Sequence, residues 1–241
     1  DALGWNLSLG IVALLLLVMS VPVWRFRENQ QIPQHAEQAE SPGPGLLLRH
    51  YRGLLQQPGM LGWMSVLLTF KLGDALGSPM VKPMLVDQGW SNRALGQLTL
   101  ISSLAGIVGA LLGGLLYARI GAYRSLLLFG LLQAAGIAGM ALLVGAGGDT
   151  LSVYSISLFE QIADGMSTVA LFAVMMSYCR AEHEGADFTL QACVQLLLAG
   201  LVGASSGLLA QWLGYSTLFL LAGLIGLTML AVVQRHFRRC Q

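Results

Sequence analysis

The chain has 241 residues, of which 55% are hydrophobic and 10% charged, with a formal net charge of +1. A soluble domain devotes about a quarter of its residues to charge, so that class is excluded, and the near-neutral balance leaves no footprint for a nucleic-acid partner. Cys179, Cys193 and Cys240 have neither disulfide nor metal-ligand spacing, so neither metal nor cofactor is expected.

Seven apolar runs are each long enough to cross a bilayer as a helix, which takes about 20 residues. They cover about Leu3–Trp24, Met60–Val86, Ala94–Tyr117, Tyr123–Val144, Leu151–Tyr178, Leu190–Trp212 and Tyr215–Val233. Runs this long are not strands, and backbone groups in lipid must bond within their own segment. The expected fold class is therefore all-α, a polytopic membrane protein of seven transmembrane helices. The first run lacks a basic leading region and a small-residue cleavage site, so it is expected to be a span and not a signal peptide. Because the chain opens on Asp1, it is expected to be a fragment of a longer protein.

Residues 25–59 separate the first span from the rest. Pro42, Gly43, Pro44 and Gly45 break them, which predicts a polar linker followed by a short basic amphipathic piece, LLLRHYRGLLQQ. The other connections are tight. Odd-numbered connections and the tail hold Arg25, Arg27, Arg49, Arg52, Arg119, Arg124, Arg180, Arg235, Arg238 and Arg239, whereas the opposite side holds Arg93. Positive residues stay inside, so the linker and C-terminus are expected in the cytoplasm.

The second span carries charge where charge is costly. Its stretch FKLGDALGSPM contains Lys71, Asp74 and Ser78. At 1.5 Å rise per residue, Lys71 falls roughly 16 Å from the start of its span, near the middle of a core about 30 Å thick. The fifth span contains FEQIADGMST, with Glu160, Asp164, Ser167 and Thr168 on one helical stripe. A charge at the bilayer centre costs about 2.5–3.5 kcal/mol on insertion scales. The two stripes are therefore expected to face each other across a polar path. A static ion-pair network that only fixes packing is the alternative. Pro79 and Pro83 predict a kink in the outer half of the second span. The pairs Gly109/Gly113 and Gly203/Gly207 have the spacing of close helix contacts. Trp63, Trp90 and Trp212 fall near span ends, as interfacial anchors do. AEHEGAD, 181–187, reads as a solvated loop and not as a metal site.

After the third span the chain reads GGLLYARIGAYR, 113–124. This resembles the G-x-x-x-D-R-x-G-R-R gating-loop signature of the major facilitator superfamily. Gly114, Arg119, Gly121 and Arg124 match; Ala118 replaces the family's Asp and Tyr123 one closing basic residue. KLGDALGSP, RSLLLFGLLQ and FEQIADGMST resemble the muropeptide-permease-like branch. KLGDALGSPMVKPMLVDQGWS is similar to the bacterial inner-membrane permeases for ferric siderophores of the rhizobactin and pyochelin type.

The resemblance implies that residues 1–24 are the last helix of an N-terminal half, 25–59 the central cytoplasmic linker and 60–241 the C-terminal six-helix bundle. It implies a secondary transporter of the bacterial inner membrane, working by alternating access with a midplane site, importing a bulky solute and coupled to protons through Glu160 or Asp164. The expected cargo is a ferric siderophore, with a muropeptide or other amphiphilic metabolite as the alternative. The other partners implied are the lipid bilayer and the missing N-terminal half. An intramembrane enzyme would need a nucleophile or a His/carboxylate pair at depth. His35, His50, His183 and His236 are expected in loops or the tail, so no enzymatic activity is expected. A non-transporting receptor is the remaining alternative.

Overall fold

A computed structural model describes residues 5–25, 51–145, 149–181 and 183–240. The chain divides into two units, Asp1–Leu47 and Leu48–Gln241. The first contains helix α1, Trp5–Arg25, a uniformly apolar helix with Pro22 near its end. Most of the expected linker lies outside the described residues.

In the second unit, residues 51–55 are helical, with Leu54 packed into the core. The expected second span runs from Met60 to Asp87 in pieces: α2 (Met60–Phe70), α3 (Leu72–Gly77), a 3-10 turn (Ser78–Met80) and α4 (Val81–Asp87). Pro79 sits in the 3-10 turn, where its missing N–H is harmless. A second break, which the sequence did not predict, falls at Lys71 itself, whose φ of −98° and ψ of 7° leave the helical region.

Helix α5, Asn92–Gly139, is capped by Ser91 and contains the third and fourth expected spans. With the 3-10 turn Met140–Leu143 it makes 52 residues, roughly 78 Å if straight. It is not straight. Gly121, at φ 79° and ψ 171°, turns it into two legs, a conformation that costs glycine least. Helices α6 (Thr150–Ser177), α7 (Glu184–Leu213) and α8 (Tyr215–Cys240) follow. Four stretches, Asn92–Leu143, Thr150–Ser177, Glu184–Leu213 and Tyr215–Arg238, are long and apolar enough to cross a membrane. Among the described residues, these stretches, the first turning back at Gly121, together with the broken Met60–Asp87 segment and α1, account for the seven expected helices. This is an all-α, multi-pass membrane architecture.

Both legs of α5 lie against α6. A Cβ on Gly109 would meet the Ile162 carbonyl oxygen at 2.3 Å, and one on Gly113 the Met166 Cα at 2.6 Å, so this pair packs as expected. The second pair does so only in part: Gly203 lies against the Ala75 backbone, but Gly207 has nothing within 4 Å. Three other expectations are corrected. Residues 184–187 are the first turn of α7 rather than a loop, because Asp187 is buried in an ion pair. The tail continues α8, so His236 is helical and buried. Trp63 is no interfacial anchor: it is fully buried and donates its indole N–H to Gln191 Oε1 at 2.7 Å.

Apolar layers bracket the centre of the unit. Toward the Arg119 and Arg180 end, Trp63, Leu67, Phe70, Phe129, Leu171 and Met175 cluster. Toward the other end, Met84, Leu85, Leu98, Met140 and Phe219 do so. Lys71 and Asp74 on the broken segment and Glu160 and Asp164 on α6 fall between these layers.

Candidate functional site

The break at Lys71 ends α2 just as the chain leaves the first apolar layer. The Lys71 side chain is buried among apolar neighbours and reaches α6. Its Nζ lies 2.5 Å from Asp164 Oδ1 and donates to Ser167 Oγ at 2.8 Å. Ser167 Oγ lies 2.9 Å from Gln133 Oε1, and Gln133 Nε2 donates to the same Asp164 oxygen at 2.9 Å. Removing one charge of a buried pair costs about 3–5 kcal/mol where nothing else compensates the other; here the ammonium is buried and Asp164 partly exposed. The three extra hydrogen bonds hold this pair in one geometry.

A second cluster adjoins the first, farther along α3. Ser78 Oγ lies 2.6 Å from Asp74 Oδ1 and 3.3 Å from Glu160 Oε1. Gln161 Nε2 donates to Glu160 Oε2 at 2.9 Å. Asp74 also feels the Lys71 and Asp164 charges and lies beside Gln133. Lys71 meets Asp164 while Ser78 meets Glu160, so the two segments run antiparallel and their polar stripes face each other. Glu160, though ionisable, is 3% exposed. Asp164 thus pairs with the ammonium, Asp74 lies in its field, and Glu160 is joined to Asp74 through Ser78.

Of the residues expected here, Lys71, Asp74, Ser78, Glu160, Asp164 and Ser167 come together in one continuous row. Thr168 lines an open cleft of about 420 Å³ with Lys71, Asp74, Asp164, Phe172 and Gln195. The gating-loop residues lie apart from the row: Arg119 and Arg124 are exposed at the turn made by Gly121, and Gly114 packs loosely on Val169. Sequence reasoning missed Gln133, a lone amide in an apolar run. It also missed a buried cluster near the Arg180 end, where Trp63 stacks on Tyr178 at 5.0 Å and Tyr178 Oη lies 2.8 Å from His236 Nε2. Among the described residues, no group of three or more His, Cys, Asp or Glu could hold a metal ion. Outside the spans, Arg180 donates from Nε and Nη2 to Asp187, which raises the Arg180 pKa above its ordinary value.

A helical bundle with buried charges lining a mid-depth cleft is the architecture of polytopic membrane proteins that handle polar solutes. The chain belongs to the major facilitator superfamily, whose family model matches residues 1–204. It is 32% identical over 186 residues to the anhydromuropeptide permease of Escherichia coli strain K12, covering 72% of this chain and 37% of that protein. It is also 24% identical over 236 residues to a Rickettsia bellii protein named as transporter AmpG 1, covering 95% of this chain and 56% of that protein. The chain thus spans between a third and just over half of the length of these curated relatives.

Proposed function

We propose that this chain supplies the second half of a secondary transporter that moves a muropeptide across the bacterial inner membrane by alternating access. Residues 60–241 would be its C-terminal six-helix bundle, 1–24 the last helix of the N-terminal half and 25–59 the cytoplasmic linker between them. The arginine distribution supports a cytoplasmic linker and C-terminus. The relatives' names support the muropeptide over the ferric siderophore, which was the first expectation from the sequence.

One observation carries the reading: the Lys71–Asp164 pair, its ammonium buried, at a break in a membrane-spanning segment, beside Asp74, which Ser78 joins to Glu160. With all three carboxyl groups ionised, the cluster would carry two more negative charges than its one ammonium offsets. Protons balance it. While Asp164 is ionised it holds Lys71. When Asp164 takes a proton, the Coulombic hold is lost and the ammonium is released to a carboxylate of the peptide moiety. Proton binding and cargo binding are thereby linked through one side chain, and the two-helix contact supplies the element that both bias. Gly114, Arg119, Gly121 and Arg124 would serve at the cytoplasmic turn that opens and closes with this motion.

The test is uptake of labelled anhydromuropeptide by the full-length protein in proteoliposomes under an imposed proton gradient. Asp164→Asn and Glu160→Gln are expected to lose gradient-driven uptake at normal protein levels. Full uptake in both would remove the coupling role, and uptake of a labelled ferric siderophore in place of the muropeptide would reverse the cargo.

A further inference from the structure

A second cavity touches the charged row from its other end. It lies between α4, the first leg of α5 and α6, measures about 260 Å³, and is lined by Ser78, Lys82, Thr99, Ser102, Ser157 and Glu160, among others. Lys82 is exposed, so the cavity reaches the surface, toward the end of the bundle opposite Arg119 and Arg180. The hydroxyls of Ser102 and Ser157 have no protein partner, although these residues are only 8% and 4% exposed.

A buried hydroxyl left unpaired costs about 1–3 kcal/mol. Two such groups lining one cavity call for water, which needs roughly 10–15 Å³ of space per molecule. The cavity therefore has room for a file of several waters. Hydroxyls both donate and accept, so the walls can pass a proton along that file. The file ends at Glu160. From there Ser78 leads to Asp74, and Asp74 faces the Lys71–Asp164 pair.

We propose that this cavity is a proton-access site, distinct from the cleft beside Thr168, in which a file of water joins the surface at Lys82 to the Glu160 carboxylate. A hydronium ion in the cavity transfers its proton to Glu160, leaving water and a neutral carboxyl. The groups around that carboxylate are compatible with the transfer. Asp74 and Ser78 face it from the broken segment, and Asp164 and Gln161 from α6. Lys82 of α4 shares the cavity, and the first leg of α5 contributes the uncharged Thr99, Ser102 and Ser103. The second leg of α5 passes it at Gly136. This inference rests on the proton-coupled reading above, and its test separates the two.

The experiment uses the full-length protein in proteoliposomes and follows labelled anhydromuropeptide in two modes: uptake driven by a proton gradient, and counterflow without one. Ser157→Val and Ser102→Val fill the cavity from opposite walls. Each is expected to lose driven uptake, as Glu160→Gln does, while keeping counterflow. A coupled parent whose two valine variants keep driven uptake overturns the water file and leaves the coupling reading standing. A parent without gradient-driven uptake overturns both.

Discussion

Gly136 and Glu160 are in van der Waals contact across the α5–α6 crossing. A Cβ built on Gly136 would lie 3.0 Å from Glu160 Cα, 3.2 Å from its Cβ and 3.3 Å from its Cγ. The second leg of α5 therefore presses directly on the acid and fixes where its carboxylate points. Gly136→Ala is expected to destabilise the protein by about 1–3 kcal/mol, the usual cost of overpacking, or to shift Glu160 and weaken gradient-driven uptake. Thermal unfolding in detergent, beside Gly207→Ala as a variant that meets nothing within the unit, checks this. Equal midpoints for the two would show that the crossing relaxes freely.

The Lys71–Asp164 pair separates a structural role from a transporting one. Asp164→Leu alone takes the direct partner from a buried ammonium that Asp74 still attracts, and is expected to cost up to about 3–5 kcal/mol, the value for a charge left with no compensation. Adding Lys71→Met removes the ammonium, leaves Asp74 with its Ser78 hydrogen bond, and is expected to restore most of that stability, since apolar replacements of buried pairs are often neutral. Transport is expected to stay lost in the double variant. Transport that returns with stability would make the pair mere packing.

The ion pair near the other end of α6 gives a comparison without transport. Asp187 is fully buried and accepts from the Arg180 backbone N–H at 3.0 Å, from Nε at 2.8 Å and from Nη2 at 2.7 Å. Arg180→Gln leaves this carboxylate short of its cation. A fall of several degrees in the unfolding midpoint is expected, largely recovered by Asp187→Asn in the same chain. Failure of the second change to recover it would place the damage in Arg180 packing and not in charge.

Asp149 caps α6, accepting from the Ser152 hydroxyl at 2.5 Å and from its backbone N–H at 3.3 Å. These bonds lower the Asp149 pKa. A depressed carboxyl stabilises the folded state above its unfolded value of about 3.9, and that contribution disappears as pH falls through the lower folded value. Acid titration of stability is therefore expected to show a step below about pH 4, absent in Asp149→Asn, which caps well without titrating. An identical profile in Asp149→Asn would assign the step to other groups.

Much of the central site was legible because charge stands out in an apolar background. Lys71, Asp74, Glu160 and Asp164 could be picked by composition, and helical periodicity placed Ser167 and Thr168 with them. Gln133 carries no charge and sits on no polar stripe, so nothing local marked it; its role exists only where α5 meets α6. Ser102 and Ser157 were silent for the same reason. The break at Lys71 has no Pro or Gly at its own position to announce it. Trp63 and His236 were misplaced because position near the end of an apolar run was read as exposure, whereas neighbouring helices cover that end. The GxxxG spacing marked a contact at Gly109 and Gly113, but in α7 only Gly203 has a helix against it.

The interruptions at Lys71 and Ser78–Met80 have a mechanical consequence. An unbroken rod such as α6 can carry its side chains to a new position only by travelling as a whole. The facing segment is jointed, with two short links between fixed ends. Rotation at a few torsions would swing its ammonium and its hydroxyl past the opposing carboxylates, with the surrounding helices left in register.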